Sequence, residues 1–361
     1  MPVKGVVYAL LAALLFGITT PFAKGLLIEI SPVLLAGLFY LGSGLGLGIY
    51  LLTTHLTAKF TGQKKSSEAS LQKSDLPWLG GAIIFGGIIA PALLMFGLAS
   101  TKASSASLFL NLEGVFTALI AWFVFRENFD KRIFLGMVAI VTGGIILSGG
   151  EVDATAAAAN FSGVLLIVGA CLGWAIDNNL TRKVSNANPA QITCIKGLFA
   201  GLVNVSLALF IQAESAALPN PSDIFAALFV GFLGYGVSLA LFVLALRHLG
   251  TARTGAYFAL APFVGAAIAI VILNEPMTWA FLAAACLMAV GLWLHLTENH
   301  YHLHLHQRMQ HEHKHTHDEH HQHAHDDAKD TSGAPHTHSH THEPLEHRHT
   351  HFPDAHHQHE H

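Results

Sequence analysis

Ala103–Asn128 reads ASSASLFLNLEGVFTALIAWFVFREN, and Thr251–Pro276 reads TARTGAYFALAPFVGAAIAIVILNEP. Each opens on small residues, runs apolar for about twenty residues and closes on an acid, Glu127 in one and Glu275 in the other. A helix rising about 1.5 Å per residue needs about 20 apolar residues to cross a hydrocarbon core of about 30 Å. Two such stretches with one pattern, far apart in one chain, point to a duplicated membrane protein.

Eight more apolar segments flank these two. The ten fall at about 6–22, 33–52, 79–98, 106–125, 133–147, 161–180, 192–211, 224–246, 255–273 and 279–296, separated by short turns rich in Gly, Pro, Asn and charge. The chain has 361 residues, 52% hydrophobic and 12% charged, where soluble domains carry about 25% charge. The segments lack the polar face that a water-exposed helix needs, which excludes a soluble helical protein. Lys4 before an apolar run resembles a signal peptide, but a second span follows after a short turn. Cys171, Cys194 and Cys286 lie in apolar runs, far apart and odd in number, and read as buried thiols rather than a disulfide framework. The expected fold is therefore an all-α membrane protein of ten transmembrane helices.

Lys and Arg orient the chain. With the N-terminus cytoplasmic, the inner segments carry twelve of them, while the outer turns carry only Lys24 and Lys102. Ten spans return the chain to its starting side, so both ends are expected in the cytoplasm of a cell (inner) membrane protein. The repeat divides the spans into two halves of five, residues 5–150 and 160–297, ahead of a tail at 298–361. The first and sixth spans match more weakly, Leu14–Gly25 (LLFGITTPFAKG) beside Cys171–Lys183 (CLGWAIDNNLTRK). An odd number of spans per half makes the second copy enter from the opposite face, giving two inverted five-helix repeats, a mark of secondary transporters.

The residues SLFLNLEGVFTALIAWFVFREN (Ser107–Asn128), the duplicated five-span layout, and LFGITTPFAKG (Leu15–Gly25) followed by Ser31-Pro32 resemble the EamA-type repeats of the drug/metabolite transporter superfamily. The resemblance covers about residues 5–297 and leaves the tail uncovered. It implies a ten-span inner-membrane carrier, often an exporter of amino acids or other metabolites, with cytoplasmic termini. The second half has no equivalent of Glu113, since the matching positions are Ala261 and Pro262. A site built on Glu113 is therefore asymmetric.

Ionisable side chains inside a bilayer face the protein interior or a water-filled cavity. Glu113 lies about ten residues into its span, near the midplane. Asp177 and Lys196, on the sixth and seventh spans, lie at equal depth, roughly 8–10 Å below the cytoplasmic surface, where they can pair. Glu113 is a proton or cation site, or it serves a backbone break or bonds Asn111. Asp177–Lys196 is a locking salt bridge or a gate. Pro21, Pro91 and Pro262 lie inside spans and either free backbone carbonyls for a substrate or act as static kinks. Thr19, Thr20, Asn111, Asn178, Asn179 and Asn204 are candidate cavity groups, and the glycines of Gly42–Gly48, with Gly197 and Gly201, allow close helix packing. His55, His248 and His295 lack a second ligand at helical spacing and read as interfacial.

The tail from His300 to His361 holds 23 of the 26 histidines. With few apolar residues to bury, it is expected to be disordered. His-x-His units recur in it, and His311, His313, His315, His317, His320, His321, His323, His325, His336, His338, His340 and His342 are candidate ligands for divalent nickel, cobalt, zinc or copper. A solvated tail that only titrates with pH is the alternative. No cofactor is required, and the expected partners are the lipid bilayer and a small-molecule or metal-ion substrate, with no nucleic acid. A homodimer is compatible with this picture. No nucleophile–base pair or P-loop points to an enzyme or an ATP-driven pump. The readings left open are a metabolite carrier with a metal- or pH-sensing tail, a divalent-metal carrier, and a non-transporting membrane protein whose tail stores metal.

Overall fold

The computed structural model describes residues 3–61, 71–125, 131–149, 154–184, 187–211, 219–249, 254, 257–296, 301–306, 309–315, 336–342 and 345–350. Helices α1 (Val3–Leu26) and α2 (Pro32–Thr61) are joined by a short turn. The third apolar stretch is one rod in three parts: α3 (Leu76–Ala82), a π-helical turn at Ile83–Ile89, and α4 (Ala90–Ser100). The fourth is broken at Leu110 and Asn111 into α5 (Ala103–Phe109) and α6 (Leu112–Phe125). Then come α7 (Lys131–Ser148), α8 (Ala154–Val184) and α9 (Pro189–Ile211). The eighth stretch is again divided, into α10 (Pro221–Gly231), a π-helical turn at Phe232–Val237, and α11 (Ser238–Leu249). Finally α12 (Ala261–Leu273) follows a turn at Ala259 and Leu260, and α13 (Trp279–Leu296) closes the bundle.

Local chemistry sets several of these ends. The Asn188 side-chain oxygen accepts from the backbone N–H groups of Ala190 (3.0 Å) and Gln191 (3.3 Å), so Asn188-Pro189 starts α9 as a polar cap before a proline. Thr278 does the same for α13, accepting from the Phe281 N–H at 3.1 Å. Pro91 and Pro262 stand in the first turns of α4 and α12. Each helix restarts beside its proline, where a missing N–H is tolerated, so Pro262 marks a break rather than a kink within one rod. Pro21 does lie inside a helix, α1.

Among the described residues, eight stretches are long and apolar enough to cross a membrane, and two further apolar helices, Ala261–Leu273 and Trp279–Leu294, are shorter. Phe123, Val271 and Phe210 are 69%, 75% and 82% exposed. Water does not favour such an apolar outer surface, and lipid does. In the interior, α2 packs along α9, α7 along α13, α1 along α11 and α12, and α8 along α4 and α6. The α2–α9 contact is close because both sides present glycine: a Cβ on Gly44 would lie 2.5 Å from the Leu198 backbone nitrogen, and one on Gly197 would lie 2.6 Å from that of Gly44.

Strand β1 (Tyr301–His306) pairs antiparallel with β4 (Leu345–Thr350), and β2 (Met309–His315) with β3 (His336–His342). The reason lies in the pattern: His-x-His has a period of two, which is the alternation of a strand. His317, His320, His321, His323 and His325 lie outside the described residues.

Candidate functional site

The break between α5 and α6 shapes the centre of the bundle. Asn111 serves that break: its side-chain N–H donates to the Leu108 carbonyl at 2.9 Å, while its backbone N–H donates to the same carbonyl at 3.1 Å. Two residues on, Glu113 sits half-buried in the first turn of α6. Its partner is not Asn111 but Asn178 of α8, which donates to Glu113 Oε1 at 2.7 Å. Asn178 is exposed, and a Cβ on the adjoining Gly114 would meet nothing within 4 Å, so the acid borders open volume.

Asp177, next to Asn178, is buried and bonded through both oxygens. Thr181 Oγ1 donates to Oδ1 at 2.9 Å, and Lys196 Nζ of α9 forms an ion pair with Oδ2. The Asn178–Glu113 bond therefore brings a third ionisable group close to this pair. A buried ion pair loses hydration that its own attraction barely replaces, so it is weak as a stabiliser and costly to break.

The first π-helical turn supplies the ceiling of this region. A wider turn leaves carbonyls without their usual helical partners. Gly86 O accepts from Tyr40 Oη at 2.6 Å and from Trp174 Nε1 at 3.0 Å, and Gly87 O accepts from Asn204 Nδ2 at 3.1 Å. Gly86 packs directly on Asp177, leaving no room for a side chain. Around these groups lies an aromatic set. Phe16 stands 6.4 Å from Trp174, 5.9 Å from Tyr235 and 5.4 Å from Phe258, and Tyr235 stands 5.2 Å from Tyr40, ring centre to ring centre. Tyr235 belongs to the second π-helical turn.

Other polar groups picked out from sequence play backbone roles. Thr19 donates to Phe16 O at 2.5 Å and Asn179 to Ala175 O at 2.8 Å, the habit of short polar side chains within helices. Thr20 is buried on α1, and among the described residues no hydrogen bond joins it to Glu113 or Asp177. Pro262 lies at the second break, opposite in pattern to Glu113. Tyr40, Trp174 and Tyr235 were not singled out from sequence. The signal for them was the glycine pairs Gly86–Gly87 and Gly234–Gly236, since glycine lets a helix widen.

Among the described residues, no three of His, Cys, Asp and Glu stand together as a metal site. In the tail, backbone register sets His311 opposite His340, His313 opposite His338, and His315 opposite His336.

The EamA-like transporter family matches this chain twice, over residues 3–149 and 161–297. A protein of Methanothermobacter thermautotrophicus named as an uncharacterized transporter is 29% identical over 279 residues, 76% of this chain and 80% of that protein. A probable amino-acid metabolite efflux pump of Salmonella typhimurium is 26% identical over 216 residues, 56% of this chain and 69% of that protein. A solved crystal structure shares the fold with a TM-score of 0.57 at 16% identity, covering 81% of this chain and 98% of that one. The apolar helical bundle and a family match that spans almost all of it lead to one conclusion: the chain belongs to the EamA-like transporter family.

Proposed function

We propose that this protein is a proton-coupled secondary transporter that moves a small solute across the cytoplasmic membrane, with Glu113 as the coupling group. The observation that carries this is the Glu113–Asn178 contact beside open volume, next to the Asp177–Lys196 pair, where a broken helix crosses the bundle. The acid is charged on one side of the cycle and protonated on the other, and Asn178 can hydrogen-bond both forms. The test is solute movement driven by a pH gradient, with Glu113 and with Gln in its place.

The path requires ten spans in two inverted halves, 5–150 and 160–297. Three features support that arrangement. The family match divides at nearly the same points. The π-helical turns lie in the third and eighth stretches, five apart, and the broken helices in the fourth and ninth. The neighbours also correspond: α1 lies against α11 and α12 as α8 lies against α4 and α6. Rocking of one half against the other then exposes Glu113 alternately.

Topology reporters fused at residues 62, 214 and 333 test the orientation. Cytoplasmic signals are expected at Gly62 and Gly333, and an outer signal at Glu214. An outer signal at Gly333 contradicts the ten-span count.

For the solute, the Salmonella relative's name points to an amino-acid metabolite. The tail favours a second reading, in which a divalent metal ion such as nickel, cobalt or zinc is the solute or the regulator. Neutral imidazole binds such ions, and the recurring His-x-His units of the tail supply it in number. Removing the chain from Glu298 onward is expected to leave an inserted, folded carrier whose metal tolerance or metal dependence shifts. Capture by the tail should weaken below about pH 6.5, because imidazole binds metal only when neutral. A truncated protein at normal membrane level that moves nothing at any metal concentration contradicts a modulating tail. Metal dependence absent with and without the tail leaves the metabolite reading alone.

A further inference from the structure

Glu275 and Lys24 meet at one turn of the bundle, at the end that the Lys/Arg distribution assigns to the outside. Asn274, the last residue before Glu275, takes a left-handed conformation (φ 51°) and turns the chain out of α12. Both Glu275 carboxylate oxygens then accept backbone N–H groups at the start of α5, from Ala103 at 2.7 Å and Ser104 at 2.8 Å. Lys24, near the end of α1, donates to the Leu98 and Ala99 carbonyls at the end of α4, at 2.6 and 3.0 Å. An anion at a helix N-terminus and a cation at a helix C-terminus are each favourable. Here they grip both sides of the α4–α5 turn, and they come from different halves of the chain.

Beneath this grip runs a buried polar seam. Ser104 and Ser107 lie about one turn apart on α5, Asn111 follows in the break below it, and the three are only 2%, 1% and 7% exposed. Among the described residues, Ser107 Oγ is buried without a hydrogen-bond partner, as is Thr101 Oγ1 in the gripped turn. The seam is pressed shut where Gly17 of α1 meets Gly265 of α12: a Cβ on Gly265 would lie 2.7 Å from both Ser107 Oγ and the Gly17 carbonyl. A buried hydroxyl with no partner is costly in a native structure and asks for a reason. Exposure to water in a second conformation is such a reason. The seam points along the bundle from Glu275 to Asn111, two residues from Glu113.

We infer that Ser104, Ser107 and Asn111 line the outer half of the translocation path, closed in this structure, and that Glu275 and Lys24 latch it. When the latch lets go, α12 parts from α1 and α5, water reaches Ser107, and Glu113 becomes accessible from outside. This rests on the alternating-access reading above but asks nothing about which solute is carried.

The test uses cysteine accessibility, which needs no substrate. Ser107→Cys is placed in the full-length protein with Cys171 and Cys286 replaced by alanine. Cys194 is kept as an internal control, because its Sγ is held against Gly44 O at 3.3 Å in the α2–α9 contact. Intact cells are treated with a membrane-impermeant maleimide. Adding Glu275→Ala is expected to raise labelling of Ser107→Cys from outside by roughly fivefold, the shift that loss of a charged helix cap brings to a two-state equilibrium. Cys194 should stay unlabelled. Unchanged labelling at normal membrane levels overturns the latch. Labelling that rises equally at Cys194 overturns it too, since the substitution then only loosens the bundle. Labelling that rises only from the cytoplasmic face of inverted vesicles overturns the assignment to the outer path. Lys24→Ala provides a second variant should Glu275→Ala fail to reach the membrane, with the same expected rise. A transport assay in which Glu113 proves dispensable leaves this labelling result untouched, so the two readings fail separately.

Discussion

Lys196→Ala is expected to be the most damaging single substitution in the bundle, with Asp177→Ala close behind. Both side chains are buried, each 8% exposed, and each is the other's counter-ion. Removing one leaves an uncompensated charge away from water, a cost of about 3–5 kcal/mol where such pairs have been broken. Among the described residues, Asp177 would keep its bond from Thr181 alone. Lys196 would keep no carboxylate within salt-bridge distance among the described residues. The double replacement removes both charges and should recover much of that loss, because two small neutral groups ask for no hydration. The measurement is the melting temperature of purified protein in detergent, together with its level in the membrane. Losses that simply add in the double variant contradict coupling between the two residues.

Glu113→Gln is expected to act differently, sparing the fold and abolishing coupling. Gln keeps the shape of Glu and an oxygen that can accept from Asn178 as Glu113 Oε1 does now. What it loses is the ability to release a proton. One charge moved through about 100 mV supplies about 2.3 kcal/mol, enough to hold roughly a fiftyfold solute gradient. That gradient should collapse toward unity in the variant, while exchange of solute down its own gradient continues. Accumulation under an imposed pH gradient, followed with a labelled amino-acid mixture and separately with nickel, checks this. A variant that still accumulates solute as the unaltered protein does returns Glu113 to a structural part.

Much of this was legible in the sequence. The apolar stretches and their turns are set by hydropathy and by proline and glycine punctuation, which act locally. Asp177 and Lys196 were paired from depth alone, because residues counted inward from charged turns at a constant rise keep their level. Glu113 stood out because an acid amid apolar residues is rare. What the sequence did not disclose depends on distant contacts. The two π-helical turns receive side chains from other helices, Tyr40 and Trp174 on the Gly86 carbonyl and Asn204 on that of Gly87 in the first, and Ser43 on the Tyr235 carbonyl in the second. The breaks at Leu110–Asn111 and Ala259–Leu260 shorten helices that hydropathy alone would run through. Asn178 was a candidate cavity group, but nothing local identified Glu113 as its partner. Glu275 was visible only as a repeat of Glu127. Its hold on Ala103 and Ser104 spans 172 and 171 positions of chain, beyond the reach of any local pattern.

The central claim is that a proton carried at Glu113 drives the solute. It is tested most directly by recording pH inside sealed proteoliposomes as an amino-acid mixture, and then nickel, is added outside. With the unaltered protein, one of these additions should move protons across the membrane, and the same addition should move none with Glu113→Gln. An equal proton flux in the two proteins contradicts the claim.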